Sequence, residues 1–312
     1  MKFIDAKSIN DVLEYNELIP ALKKAFIGEV KVPPRHHHDF KNPKEGIDST
    51  LLLMPAWSES ESLGVKIVTV SPNNAKYNLP SIQGLYLLMD AHKGGVEAIM
   101  EGKALTAKRT AASSALACSY LAKKDASSML MIGTGALSIE LIKAHSSVRD
   151  IKDVYIWGRN KDKALNIVNE LKNDFNIKAV DNIEDIIGSV DIISCATLSE
   201  VPLVFGKFLN AGQHVDLVGA YKPNMREADD ELIKKVDIFL DTQMATKETG
   251  DIKIPLDEGI ITLDDIHADL FELTRGKHEG RKNKEQITLF KSVGHALEDL
   301  AAAMLVKEKL LD

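Results

Sequence analysis

Two cysteines in 312 residues, Cys118 and Cys195, are too few for a disulfide framework. Both lie in apolar segments that read as core, which suits a reducing compartment. Long hydrophobic runs are also missing. No stretch approaches the roughly 18 apolar residues that a membrane span requires, and the opening Met1-Lys2-Phe3-Ile4-Asp5-Ala6 lacks the apolar region of a signal peptide. The expectation is a cytoplasmic protein with no membrane partner. Positive charge is scarce: 39 Lys and Arg against 46 Asp and Glu leave a formal charge of −7. A nucleic-acid surface needs clustered cations to replace phosphate counterions, so nucleic acid is not an expected partner. Internal repeats and low-complexity linkers are absent as well, which excludes solenoids and leaves domain boundaries to be read from changes of pattern.

What is present is an ordinary globular composition, 45% hydrophobic and 27% charged, in a chain longer than one core usually serves. Ser8 to about Ile27 has helical apolar spacing, with Pro20 placed to open a second helical segment. Short apolar runs follow at Ser49–Met54, Val65–Val70 and Leu85–Met89, and His92-Lys93-Gly94-Gly95 reads as a hairpin turn into Val96–Met100. This pattern predicts an antiparallel sheet. Leu105–Ala122, rich in Ala, Leu and Ser, predicts a closely packed helix.

Beyond it the pattern changes to strands alternating with helices: Met129–Ile132, Val154–Trp157, Asp191–Ala196, His214–Val218 and Val236–Leu240. Such alternation predicts parallel strands with a ligand outside their carboxyl ends. Ser292–Leu310 reads as one long helix returning to the first domain. The fold class is therefore α/β, a Rossmann dinucleotide-binding domain over residues 119–292 beside an α+β substrate-binding and dimerisation domain over residues 1–118, joined by 293–312.

The strongest motif is Met131-Ile132-Gly133-Thr134-Gly135-Ala136-Leu137-Ser138, a strand entering a glycine turn and then a helix. One glycine permits the turn, the next lets the backbone approach a pyrophosphate, and the helix N-terminus offers unpaired N–H donors. The next strand ends Trp157-Gly158-Arg159-Asn160-Lys161. No acid stands there to repel a 2′-phosphate, so NADPH is the expected cofactor, with NADH as an alternative.

Three cations mark the first domain: Arg35, Lys66 and Arg109. Lys66 sits inside the apolar run Gly64-Val65-Lys66-Ile67-Val68, where an unpaired ammonium is costly and an anion would relieve it. The guanidinium groups suit a planar carboxylate. The run His36-His37-His38 does not build a metal site, because alternate side chains of a strand face opposite ways. Lys123-Lys124-Asp125, Asp229-Asp230-Glu231 and Asp264-Asp265 read as solvated charge runs.

Together, Pro34-Arg35, Leu53-Met54-Pro55-Ala56-Trp57, Gly64-Val65-Lys66, Leu105 to Ala112, the Gly133-Thr134-Gly135 loop, Pro223 to Glu227 and Thr288 to Gly294 resemble the ornithine cyclodeaminase/mu-crystallin family over essentially the whole chain. The resemblance implies a homodimer in which Arg35, Lys66 and Arg109 bind a substrate carboxylate. It also implies that Thr110, Gly133, Thr134, Gly135, Ala136, Thr197, Ser292 and Val293 contact the cofactor beside Arg159 and Asn160. Family members include a lyase, imine reductases, amino-acid dehydrogenases and a hormone-binding protein. Where the cyclodeaminase branch has an aspartate after Gly-Gly or Gly-Ala, this chain has Tyr221, so a neutral phenol replaces the acid that positions ornithine's side-chain amine. The expected function is NADPH-dependent reduction of a cyclic ketimine carboxylate to L-proline or L-pipecolate, with Lys66 and Tyr221 as catalytic candidates. Ring size stays open. The alternatives are an ornithine cyclodeaminase, an NADP-dependent amino-acid dehydrogenase, and an NADPH-dependent small-ligand-binding protein.

Overall fold

From Ser49 to Glu101 short apolar runs lie between turn signals, and there the chain folds into an antiparallel meander. The structure is a computed structural model describing residues 1–59 and 61–311. Its chain divides into two units, Met1–Thr110 with His295–Asp312 and Ala111–Gly294. The first opens with β1 (Lys2–Ile4), α1 (Ala6–Val12) and α2 (Tyr15–Ile27), then β2 (Val30–Lys31) and β3 (His36–Phe40). The meander follows as β4 (Ser49–Ser58), β5 (Ser62–Val70), β6 (Ile82–Asp90) and β7 (Val96–Glu101), before α3 (Gly102–Leu121). Strand order is β1-β7-β6-β5-β4-β2, with β3 also on β4 and β1 parallel to β7.

Pro20 does not open a helix; it lies inside α2. Pro20 and Asn16 are both exposed, so water can take the Asn16 carbonyl that the proline leaves without its helical donor.

In the second unit the strands are β8 (Ser128–Ile132), β9 (Asp153–Trp157), β10 (Asn176–Ala179), β11 (Ile192–Cys195), β12 (His214–Leu217), β13 (Asp237–Leu240), β14 (Ile266–Asp269) and β15 (Thr288–Lys291). The helices are α4 (Ser138–Val148), α5 (Lys161–Leu171), α6 (Asp230–Lys235), α7 (Ala245–Glu248), α8 (Gly250–Asp257) and α9 (Leu270–Thr274). All eight strands are parallel, in the order β10-β9-β8-β11-β12-β15-β13-β14. The predicted Rossmann fold is borne out. Chain direction across the sheet reverses beside β8, and the glycine loop leaves its carboxyl end, where such sheets bind ligands. Asp216 on β12, fully buried, accepts from Ser114 (2.9 Å) and Ser194 (2.7 Å) and pairs with His145 at 3.1 Å. Burial opposes the charge on His145, but neighbouring Cys118 and Asp216 raise its pKa to about 10.

Ser292–Leu310 is not one helix. The last strand, β15, ends at Lys291, a turn follows, and α10 (Ala296–Leu310) begins only after it. In the first unit α10 packs on α1, α2, β4, β5 and β6. Register explains which face it covers: Met54, Lys66, Tyr86 and Met100 lie opposite one another across β4 to β7 and are all buried.

Candidate functional site

An anion site in the first unit. Lys66 lies on β5, flanked by β4 and β6, and is 3% exposed. It does not stand unpaired there, because α10 brings Asp299 down onto the sheet. Asp299 Oδ1 accepts from Lys66 Nζ and from Arg109 Nε, both at 2.9 Å, and Oδ2 lies 2.8 Å from Lys66 Nζ. Glu298 Oε2 accepts from Arg109 Nη1 at 2.6 Å. The structure thus joins Lys66 and Arg109 through two carboxylates that sequence reasoning missed. Both acids sit in the first turn of α10, where the helix dipole favours negative charge. The signal was available: two adjacent acids in the apolar stretch Ala296–Val306 raise the same question of a partner as Lys66 does.

Arg35 is close enough to depress both Lys66 and His295. Burial, then Arg109, lowers the Lys66 pKa to about 8, while Asp299 works the other way. Burial, then Arg35, takes His295 to about 4, so it is neutral at pH 7. Among the described residues, Arg109 Nη2 and one N–H of Lys66 have no acceptor. Those donors are what a carboxylate needs. Tyr86, opposite Lys66 on β6, is fully buried, and its hydroxyl lies over Gly64, where a Cβ would come within 1.9 Å of it.

A dinucleotide cavity in the second unit. Gly133 has φ 119°, and a Cβ there would lie 2.6 Å from the Ala196 carbonyl, so the turn requires glycine. At Gly135 a Cβ would meet nothing, which leaves room for a pyrophosphate beside the backbone. Ser138, in place of a third glycine, is fully buried and donates to the Gly133 carbonyl at 2.9 Å. A cavity of about 400 Å³ is lined by Gly133, Thr134, Gly135, Arg159, Asn160 and Thr197, together with Lys163, and no acid lines it. Asn160 caps α5 by accepting from Lys163 N, and Lys161 pairs with Asp181 at 2.6 Å in an exposed ion pair. These features fit a nicotinamide dinucleotide. Another cavity, about 650 Å³, opens beside Asp237 and Ile287 at the amino ends of β13 and β15 and is lined by none of the expected site residues.

Buried carboxylates shape the loops at the strands' carboxyl ends. Glu227, fully buried, accepts from Thr197 N (2.7 Å), Thr197 Oγ1 (2.9 Å), Gly219 N (2.8 Å) and Ala220 N (3.1 Å). Asp251 accepts from Glu227 N and Ala228 N and lies 3.0 Å from Lys291 Nζ. Asp241 Oδ2 accepts from Val293 N (2.8 Å) and Gly294 N (2.6 Å), fixing the turn that carries Ser292 and Val293. Ala136 is exposed at the loop's end and Ser292 is buried; neither lines the cavity. Thr110 follows Arg109 on α3, buried, as the last residue of the first unit's N-terminal segment. Tyr221 is half-buried, and burial raises its pKa, so its phenol stays protonated at neutral pH. Lys291, ending the apolar Thr288-Leu289-Phe290, carried the same sequence signal as Lys66 and was missed.

Comparison with known proteins adds to this geometry. The chain is 39% identical to Protein SAR DEFICIENT 4 of Arabidopsis thaliana, covering 99% of this chain and 97% of that one. It is 36% identical to a Delta(1)-pyrroline-2-carboxylate reductase of Colwellia psychrerythraea, over 100% of both. Among solved structures, the Delta(1)-pyrroline-2-carboxylate reductase of Thermococcus litoralis, in complex with NADH and L-proline, superposes with a TM-score of 0.93 at 34% identity, covering 100% of this chain and 98% of that one. The family model for ornithine cyclodeaminase/mu-crystallin matches residues 3–312, and with a carboxylate-ready cation cluster and a dinucleotide loop in place, the chain belongs to that family.

Proposed function

We propose that this protein reduces a cyclic ketimine carboxylate, Δ1-pyrroline-2-carboxylate or its six-membered homologue Δ1-piperideine-2-carboxylate, to L-proline or L-pipecolate. The chain is a nicotinamide-dependent oxidoreductase of the C=N class, in keeping with reductases 34–36% identical to it. The observation that carries the substrate reading is the buried set in which Asp299 joins Lys66 and Arg109, with donors on both left over for a carboxylate among the described residues and Arg35 near enough to act on Lys66.

The reduced nicotinamide, when bound, supplies the hydride that C2 of the imine accepts. Arg35 and Arg109 hold the carboxylate and so orient the ring; such positioning is worth up to about 7 to 11 kcal/mol. Lys66, with a pKa near 8, is protonated at neutral pH yet able to give a proton toward the imine nitrogen. Tyr221, a protonated phenol, hydrogen-bonds the new amine; unchanged turnover in Tyr221→Phe would remove it from this role. NADPH is the preferred donor, supported by Arg159 and Lys163 in a cavity without acids, and NADH is an alternative because the Thermococcus relative was solved with it.

The protein is read as a homodimer. Phe40, Ile47, Tyr77, Leu79 and Ile82 are large, apolar and exposed in the first unit, and Phe40 and Ile82 belong to the same end of the sheet by register. Both cysteines are free and buried, in keeping with a cytoplasmic setting. Among the described residues no helix is long and apolar enough to cross a membrane.

The deciding experiment follows nicotinamide absorbance with NADPH and Δ1-pyrroline-2-carboxylate, beside NADH, the six-membered imine, and L-ornithine with NAD. NADPH consumption with the imine is expected. Ammonia from ornithine without imine reduction would replace this reading with cyclodeamination.

A further inference from the structure

We infer that Asp299 is a positioning residue of the reduction: bridging Lys66 and Arg109, it fixes the Lys66 ammonium toward the substrate. The inference rests on the reductase reading and deepens it. Asp299 is fully buried, and one of its oxygens accepts from both cations at 2.9 Å, so the two heads are set relative to each other by one carboxylate. Glu298, its neighbour on α10, touches Arg109 on a different nitrogen. Lys66, Arg109, Glu298 and Asp299 form one desolvated set, two cations against two carboxylates, so a displaced Asp299 carboxylate moves both cation heads together.

The groups facing Lys66 are few and all count toward its titration. They are Tyr86 from β6, Arg109 from α3, Arg35 ahead of β3, His295 ahead of α10, and Glu298 and Asp299 on α10; β4 contributes Met54, which does not titrate. Of these, Asp299 is the one whose charge raises the Lys66 pKa in the direct contact.

The test is the pH profile of kcat/KM with Δ1-pyrroline-2-carboxylate in wild type, Asp299→Asn, Asp299→Glu and Glu298→Gln. Wild-type turnover is measured first and decides the reductase reading by itself; the variants decide the role of Asp299. In Asp299→Asn the alkaline limb is expected to move to lower pH by about one unit or more, since the counter-ion of Lys66 is gone. The titration of the substrate is common to all four enzymes, so a difference in the limb belongs to the protein. In Glu298→Gln the limb is expected to stay in place while KM for the carboxylate falls. Asp299→Glu keeps the charge but displaces it, so the limb is expected to stay while kcat drops about tenfold or more. An unmoved limb in folded Asp299→Asn, or wild-type kcat in folded Asp299→Glu, overturns the inference. Should the asparagine variant fail to fold, the glutamate variant decides through kcat.

Discussion

Both units bury ionic clusters, and they resolve their charges in different ways. In the second unit Glu227 and Asp251 face Lys291, and main-chain N–H groups of Thr197, Gly219, Ala220, Glu227 and Ala228 fill both Glu227 oxygens and Oδ1 of Asp251. Anions held by backbone amides pin loops. In the first unit side chains complete the set, and Glu298 and Asp299 leave donors unclaimed on Lys66 and Arg109 among the described residues. A buried cluster short of acceptors is a receptor for one. The comparison teaches that whether backbone or side chains complete the set separates a scaffold from a site.

The sharpest way to break that contrast is Arg109→Met. It takes the cation from buried Glu298 and leaves Asp299 to Lys66 alone, and is expected to cost about 5 kcal/mol in urea unfolding, with imine reduction reduced to background. Adding Glu298→Gln should restore part of the stability and none of the activity; recovery of activity would mean that Arg109 is only a counter-ion. Lys291→Met is the matched change in the other unit, with an expected cost of about 3 kcal/mol because burial already raises the Glu227 pKa and lets it take up a proton. Protonated Glu227 no longer serves its N–H donors fully, so KM for the dinucleotide should rise while calorimetry shows unchanged affinity for pyrrole-2-carboxylate, an unreactive planar carboxylate. Weakened carboxylate binding in that variant would erase the distinction between the clusters.

Arg159→Ala sharpens the comparison within the second unit. Loss of one charged hydrogen bond, worth about 1.5–3 kcal/mol, should raise KM for NADPH at least tenfold and leave NADH untouched. Equal losses with both cofactors would show that Arg159 does not read the 2′-phosphate. The smallest effect concerns acid. An unfolded histidine takes up its proton near pH 6.5, whereas buried His214 stays neutral to about 3 and His295 to about 4. The stabilisation is therefore complete above about pH 6.5 and is lost as pH falls, at roughly 1.4 kcal/mol per unit for each group. His145, raised in the folded protein, is protonated in both states over that range and adds no slope. Thermal melts of His214→Asn should show a shallower decline between pH 6.5 and 4; an unchanged slope would assign the acid sensitivity elsewhere.

The sequence by itself determined the parts whose physics is local. Gly133 and Gly135 report a turn and an open approach because a missing Cβ acts where it stands. The short apolar runs between turn signals in β4 to β7 mark an antiparallel sheet, and the strand-helix alternation after Met129 marks a parallel one, since each pattern is written over a few residues. Lys66 was legible as a question, a charge among apolar neighbours, but its answer was not. Asp299 stands 233 residues away, and only the folding of α10 onto β5 and β6 brings the two together. The same holds for Lys291 with Asp251, and for Asp241 beneath Val293 and Gly294. Ion pairing depends on separation in space, which chain distance does not encode, so the fold alone decided which charges cancel and which remain for a substrate.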